Sequence, residues 1–447
     1  MTAAPQSDDG LKPELTLFDS ITINVGTMVA SAIFLMPAVV ALSFRSVAPS
    51  LMVWIVGGIV SVFGALCLGE LGAAMPKAGG QFVYLKRIYG PVWGYLYGWA
   101  CAIIINPGSI AAIAVGFATY LSHLIPMGSA GVKVAAVVSI MGLSVMNCFG
   151  LRLGVVLQNV LTVLKIVAIV GLAALCFLLP GGSAENLQPF WPTESWTSLI
   201  GPFGLALVAA LFAYDGWIEI TYVGSEMRNP ARDMPRSIIL STALVALLYV
   251  TVAVAFTYVL GHQGVSQSPR VAADAATAVL GTAGAVVVTF TVLVSTLGSN
   301  NGIVFTAARV PFAMARDGQF FAWAGRVSPR YAVPTTSILV QGVWASLLAL
   351  SGTYDQLATY VVFASFLFYG MSAVGVMVLR QREPELHRPY RSWGYPFTPL
   401  IFSAFAAFLI INTTLEQPVD TLIGIGLLAL GLVFYYGFGW HRAAARP

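Results

Sequence analysis

The sequence predicts an all-α integral membrane protein of twelve transmembrane helices. Ten form a five-plus-five inverted repeat in which helices 1 and 6 are discontinuous, and two more follow. Three observations carry this reading. Of 447 residues, 58% are hydrophobic and only 9% charged, against roughly 25% charged in soluble domains. Apolar runs separated by short polar breaks recur along the chain, each near the roughly 20 residues that a bilayer requires. The first and sixth runs are interrupted by small and polar residues. Such breaks in matching positions of two halves point to an inverted repeat with a site near the midplane.

The runs cover about 15–42, 48–73, 92–122, 131–149, 153–179, 198–226, 237–260, 284–313, 333–351, 356–380, 396–414 and 419–439, called spans 1 to 12 below. The chain 1–447 reads as one membrane domain, with a first repeat at about 15–179, a second at about 198–380, and two additional helices at about 396–439. With the N-terminus inside, 18 of the 22 Lys and Arg fall on the inner side, Arg309, Arg316, Arg442 and Arg446 among them. Arg45, Lys133 and Arg270 fall outside, and Lys165 is read as the one basic residue within a span. That asymmetry predicts a multi-pass protein of the cell membrane with both termini cytoplasmic. The opening MTAAPQSDDG has no basic leader into a short apolar core, so no cleaved signal peptide is expected.

Within span 1, the stretch GTMVASAIFLMP (Gly26–Pro37) is small and hydroxylated at its centre. Gly and Pro weaken a helix locally, and broken backbone in hydrocarbon is tolerable only inside protein or against a wet cavity. A small-residue packing seam is the competing explanation. After span 2, PKAGGQFVYLKRIYGP mixes aromatic and basic residues and reads as an amphipathic helix at the interface. Span 3 carries Asn106 and Pro107, a polar group and a kink. Span 6 centres on FAYDGW, where Asp215 precedes Gly216. A carboxylate at that depth costs about 2.5–3.5 kcal/mol on insertion scales, so it faces the bundle interior or a cavity. Asp215 has three readings: a contact for a substrate ammonium, a proton carrier, or a cap on the second half-helix. Glu219 lies one turn further on. The segment Ser266–Gly284 is too polar for a span and reads as an outer loop with a short helix.

Several function classes lack their residues. His123, His262, His387 and His441 sit in loops or at span ends and pair with no Cys or acid at metal spacing. Cys67, Cys101, Cys148 and Cys176 lie in apolar segments, with no disulfide framework. No GxxxxGK[ST] loop is present. No cofactor, metal or nucleic-acid partner is expected. An intramembrane enzyme would need a nucleophile–base pair at depth, and a sensor would need a signalling domain. Neither is evident.

The motifs GTMVASAIFLMP, GGQFVYLKRIYGP, LQNVLTVLK, FAYDGWIEITYVGSEMRNPARDMPRSI, TAARVPFAMARDGQFF and RPYRSWGYPFTPLIF resemble those of the amino acid–polyamine–organocation superfamily, in its L-amino acid transporter branch. They run from span 1 to span 11. The resemblance implies a LeuT-type fold and transport of amino acids. It also marks a departure: the branch usually has glycines, as GxxxGSGIF, where this chain has Ala30 and Ala32. Two added methyl groups favour a smaller pocket.

A free amino acid needs N–H donors for its carboxylate, which a half-helix N-terminus offers, and carbonyl acceptors for its ammonium. On this reading Ala30, Ser31 and Ala32 donate to the carboxylate, leading into a half-helix from about Ile33. The carbonyls near Thr27 and Met28, with those of Phe212, Ala213 and Asp215, take the ammonium, and Val29 and Gly216 complete the expected substrate-binding set. The resemblance implies a gating role for Phe212, and Trp217 flanks the same break. It also implies that the amine of Lys165 stands where sodium-coupled relatives hold sodium between spans 1 and 8, reaching carbonyls near Gly26 and the polar groups of Gly298–Gly302, Ser299 included. Branch members that pair with a glycoprotein keep a cysteine in the loop after span 3. HLIPMGSAGVK has none, so no disulfide-linked heavy chain is expected. The expected function is sodium-independent secondary transport of small neutral L-amino acids such as Ala, Ser, Thr and Cys, by exchange and alternating access. A proton-coupled amino acid or polyamine carrier, with Asp215 or Lys165 carrying the proton, is the alternative.

Overall fold

In a computed structural model of the chain, residues 10–351 and 354–443 are described, with side chains placed except at 354–360, 420, 442 and 443. The expectations on the first nine residues and on Arg446 lie outside the described residues, and the side chain of Arg442 is not placed. The regular secondary structure of the described residues is helical apart from two isolated bridges, Leu15 with Met227 and Pro180 with Gly182. A helix stands at each of the twelve expected positions. Among the described residues ten segments are long and apolar enough to cross a bilayer, counting the bent pair Leu17–Met28 and Ala32–Leu42 as one. The other two positions hold Thr335–Ser351 and Pro418–Gly437, whose apolar runs are shorter.

Span 1 starts on a reciprocal cap. The Thr16 hydroxyl accepts from Asp19 N–H, and the Asp19 carboxylate accepts from Thr16 N–H at 2.9 Å. Its two halves meet at 44°. Span 6 runs from Ile200 to Tyr214, breaks, and resumes at Glu219–Tyr222. Span 3 (Pro91–Leu121) carries a π-helical turn at Cys101–Ile105, just before Asn106 and Pro107. Pro107 has no N–H to give to Ile103 one turn back, and that carbonyl accepts from Trp344 Nε1–H at 2.9 Å instead.

Span 5 (Leu151–Leu178) shows how sequence places each face. Gln158, Thr162, Lys165 and Ile169 recur at helical spacing and are buried. Val156, Val160, Val163, Val167 and Val170 on the other faces are exposed. The polar stripe therefore turns inward and the apolar one outward, the reverse of a soluble helix and the arrangement that suits lipid. Spans 1 and 6 lie inside the bundle, with span 7 packed along span 2 and both halves of span 1.

One expectation is corrected here. Lys165 is not the only basic side chain buried in the bundle. Arg309, at the end of span 8, is 1% exposed and makes a two-pronged pair with Glu226, also 1% exposed, at 2.8 and 3.0 Å. The opposite charges and the planar fork satisfy each other. The carbonyl of Glu226 accepts from the N–H groups of Glu14 and Leu15 at 2.8 Å, so the pair ties the segment after span 6 to the entrance of span 1. The interfacial helix Gln81–Tyr89 buries Phe82, Leu85 and Ile88. It is held by Gln81 donating to Ser372 at 2.7 Å and by the ion pairs Lys86–Asp317 and Arg87–Glu383. The connection after span 7 contains the helix Val271–Leu280.

Candidate functional site

The two breaks face each other. Gly216 takes φ +106°, open to glycine at little cost, and a Cβ there would lie 3.0 Å from Met28 N and from the carbonyl carbon of Thr27. Only a bare backbone lets spans 1 and 6 approach this closely. The Thr27 hydroxyl reaches Gly216 O at 3.0 Å, and Asn24 Oδ1 accepts from Ile220 N–H at 3.0 Å. Gly216→Ala combines backbone strain with a clash against backbone. It is expected to cut transport at least tenfold and to destabilise the fold by about 1–3 kcal/mol. Uptake assays and thermal unfolding of the purified variant test this.

The first half-helix ends in a three-residue turn. Val29 has φ −80° and ψ 81°, and Ala30 N–H donates to Met28 O at 2.9 Å. This corrects the expected donor set: the N–H of Ala30 is spent inside the turn. The donor end of the site is the half-helix that opens at Ala32, since the first N–H groups of a helix have no carbonyl within it. On the acceptor side the Tyr249 hydroxyl sits between Met28 O at 2.8 Å and Ala213 O at 3.1 Å. Two of the carbonyls assigned to an ammonium thus already share a hydroxyl from span 7.

The space between these groups is about 20 Å³, room for a water but not for an amino acid. It is lined by Thr27, Met28, Ala30 and Ala32 from span 1, and by Phe212, Asp215, Gly216 and Glu219 from span 6. Ser109 and Ile113 from span 3 and Ile303 from span 8 complete it. Asp215 Oδ1 accepts from the Tyr369 hydroxyl at 2.8 Å, and Glu219 contacts the Thr306 hydroxyl. Val29, Ser31, Ile33, Ala213 and Trp217 do not line the cavity. Trp217 instead packs against Tyr369 and Phe402, with ring centroids 5.0 and 6.4 Å away. Of the two gate candidates, only Phe212 faces the cavity.

Sequence reasoning missed Ser109, Ile113, Ile303 and Tyr249. Ser109 and Ile113 were within reach of it, because they follow Asn106 by three and seven residues and share its helix face. Asn106 itself is buried, with its amide nitrogen unpartnered. Tyr249 is one of 17 tyrosines and carries no local signal.

Lys165 is fully buried at the junction of spans 1, 5 and 8. Its Nζ donates to Gly26 O, Val29 O and Ser295 O, each at 2.8 Å, and lies 3.0 Å from Ser299 Oγ. An ammonium has three N–H groups, so this nest of four oxygens saturates it. Gly26 keeps its carbonyl in place because span 5 presses on it: a Cβ there would lie 2.0 Å from Gln158 Nε2. The carbonyl of Val29, expected in the substrate site, belongs to this nest. Among the described residues no group of three His, Cys, Asp or Glu could hold a metal ion.

The family model for amino acid permeases matches residues 15–434. The chain is 34% identical to b(0,+)-type amino acid transporter 1 of Mus musculus, covering 98% of this chain and 91% of that protein. It is 31% identical to the Serine/threonine exchanger SteT of Bacillus subtilis (strain 168), over 98% and 99% of the two chains. It is also 32% identical to Asc-type amino acid transporter 1 of Mus musculus, over 96% and 82%. With a family match along nearly its whole length, helices at the expected positions and two broken helices joined at a buried polar centre, the chain belongs to the amino acid permease family, whose fold is of the LeuT type.

Proposed function

We propose that this permease is a sodium-independent exchanger of small neutral L-amino acids, a carrier rather than an enzyme, working by alternating access. The observation that carries the reading is the Lys165 nest. A nitrogen bonded to four oxygens between spans 1 and 8 does there what a bound monovalent cation would do, so no ion need be recruited. The methyl groups of Ala30 and Ala32 on the cavity wall favour short side chains. Relatives whose names specify serine/threonine exchange and Asc-type transport agree with that preference.

In this scheme the half-helix from Ala32 receives the substrate carboxylate. The carbonyls of Met28 and Ala213 receive its ammonium, displacing the Tyr249 hydroxyl. Phe212 closes over the substrate from the span 6 side. The cavity has to widen before an amino acid fits, and the contacts Thr27–Gly216 and Asn24–Ile220 are those that spans 1 and 6 must keep or break in doing so. The halves that move are the two repeats, about 15–179 and 198–380, with the last two helices outside the cycle. Both termini lie in the cytoplasm. The chain acts without a disulfide-linked partner, which the cysteine-free loop after span 3 supports.

A second reading, proton-coupled uptake, is favoured by one observation: two carboxyl side chains, Asp215 and Glu219, line the same small cavity. Proteoliposomes holding the purified chain alone separate the two. Labelled serine or alanine uptake should require internal amino acid, persist when choline replaces sodium, and be inhibited by Ala, Ser, Thr and Cys but not by putrescine or agmatine. Uptake that ignores internal substrate and follows an imposed pH gradient would replace exchange with the second reading.

A further inference from the structure

The interfacial helix Gln81–Tyr89 turns one face into the bundle, and that face opens with a polar side chain. Gln81, Leu85 and Ile88 recur at helical spacing and are buried, Gln81 at 0% exposure. An amide buried this fully costs free energy unless it is hydrogen-bonded. Gln81 Nε2 donates to Phe368 O at 3.2 Å and to Ser372 Oγ at 2.7 Å. A carbonyl only accepts, so the nitrogen end of the amide points at span 10 (Tyr354–Arg382). In sequence the two partners bracket Tyr369, whose hydroxyl donates to Asp215 Oδ1 at 2.8 Å on the wall of the substrate cavity.

The chain leading into this helix also touches the backbone that follows Asp215. Gly79 N–H donates to Tyr222 O at 3.0 Å, and Ala78 N–H to Ser225 Oγ at 2.9 Å. Gly80 takes φ +53°, and a Cβ there would collide with the Thr221 side chain. At the far end of the helix, the Tyr89 hydroxyl donates to Met371 O at 2.9 Å, and Ile88 O accepts from Arg382 Nη1–H at 3.0 Å. The helix therefore lies along span 10, and its leading loop is bonded to the second half of span 6. Asp215 is held between those two elements. Its backbone runs on into the second half of span 6, and its side chain is fastened to span 10.

We propose, resting on the reading of this cavity as the site of an amino acid exchanger, that Gln81 is a positioning residue for substrate binding. It fixes the turn of span 10 that carries Tyr369, and through that hydroxyl it sets the carboxylate of Asp215. Tyr369 touches the site, and Gln81 acts on it from the interface.

The test measures labelled serine uptake against serine concentration in proteoliposomes preloaded with serine. It compares the full chain with Gln81→Leu, Ser372→Ala, Tyr369→Phe, Val83→Ala and the joint Gln81→Leu/Tyr369→Phe, with thermal unfolding of each as the folding control. Gln81→Leu keeps the volume and removes the donor. It should raise KM about fivefold, the weight of one hydrogen bond, with the maximal rate unchanged. Tyr369→Phe should raise KM at least as much, and the joint variant no further than Tyr369→Phe alone, because both cut one chain of contacts. Val83→Ala, on the same helix but lining the surface cavity on its other side, should leave KM unchanged. The proposal is overturned if the KM effects of Gln81→Leu and Tyr369→Phe multiply in the joint variant, or if Val83→Ala raises KM equally. It also falls if Gln81→Leu lowers the maximal rate at unchanged KM, as a mere loss of folded carrier does. If Gln81→Leu does not fold, Ser372→Ala, which removes an acceptor of the same amide, takes its place in the cycle with the same expected result. Uptake that needs no internal serine would end the exchange reading and leave these KM comparisons in force.

Discussion

Lys165→Ala is expected to abolish exchange and to destabilise the protein by about 1–3 kcal/mol. Removing the amine leaves Gly26 O, Val29 O and Ser295 O without their common donor. Ser299 Oγ, 2.6 Å from Gly26 O and 2.8 Å from Val29 O, has one hydrogen and can satisfy one of them. The Ser295 hydroxyl still donates to Val29 O at 2.8 Å, so one buried carbonyl is left short of a donor at about 1–3 kcal/mol, offset in part by relief from burying an amine. Two of the three carbonyls belong to the break in span 1, so their release loosens the donor and acceptor ends of the site together. Lys165→Met fills the volume without supplying a donor and should be nearly as inactive. Exchange measured in proteoliposomes, with thermal unfolding in detergent as the control for folding, decides the matter. Wild-type exchange in Lys165→Met would show that the amine is dispensable.

The second large effect is expected at the opposite end of span 1. Arg309→Ala should destabilise the protein by about 3–5 kcal/mol, because it leaves the Glu226 carboxylate buried and unpaired. Glu226→Ala should cost a similar amount by stranding the guanidinium, which is also bonded to Phe305 O and lies 5.0 Å from the Phe305 ring. A joint replacement, Arg309→Met with Glu226→Leu, should recover most of the loss, since a buried pair exchanged for apolar side chains of similar size is often neutral. Thermal unfolding of the wild type, Arg309→Met, Glu226→Leu and the joint variant forms a double-mutant cycle. Additive losses would mean that the two residues do not act as a unit.

What was legible in the sequence follows from what a single chain encodes locally. The breaks at Gly26–Pro37 and at FAYDGW were readable because small residues, Pro37 and a mid-span carboxylate are local anomalies in an apolar run. Lys165 was readable for the same reason, and the expected neighbours Gly26 and Ser299 are among its contacts. The direction of each side chain was not readable. Trp217 adjoins the break in sequence, yet the turn at Gly216 swings it onto Tyr369 and Phe402. Ala30 looked like a donor, but the turn at Val29 consumes its N–H. Tyr249 and Arg309 escaped because their importance comes from partners more than 35 and 80 residues away in sequence. An isolated tyrosine in a span, or an arginine near a span end, is ordinary until its neighbours are known.

The Lys165 nest has a thermodynamic consequence. A sodium ion held at this junction could leave on the far side of the membrane, and its downhill passage would do work on the substrate. An amine on a peptide-bonded side chain never dissociates. It crosses no gradient and contributes no electrochemical driving force to the cycle. A carrier built around such a tethered cation, if it moves no other ion, is a passive equilibrator. It can concentrate one amino acid only at the expense of another flowing the opposite way, and at rest the inside-to-outside ratios of all its substrates converge on a common value.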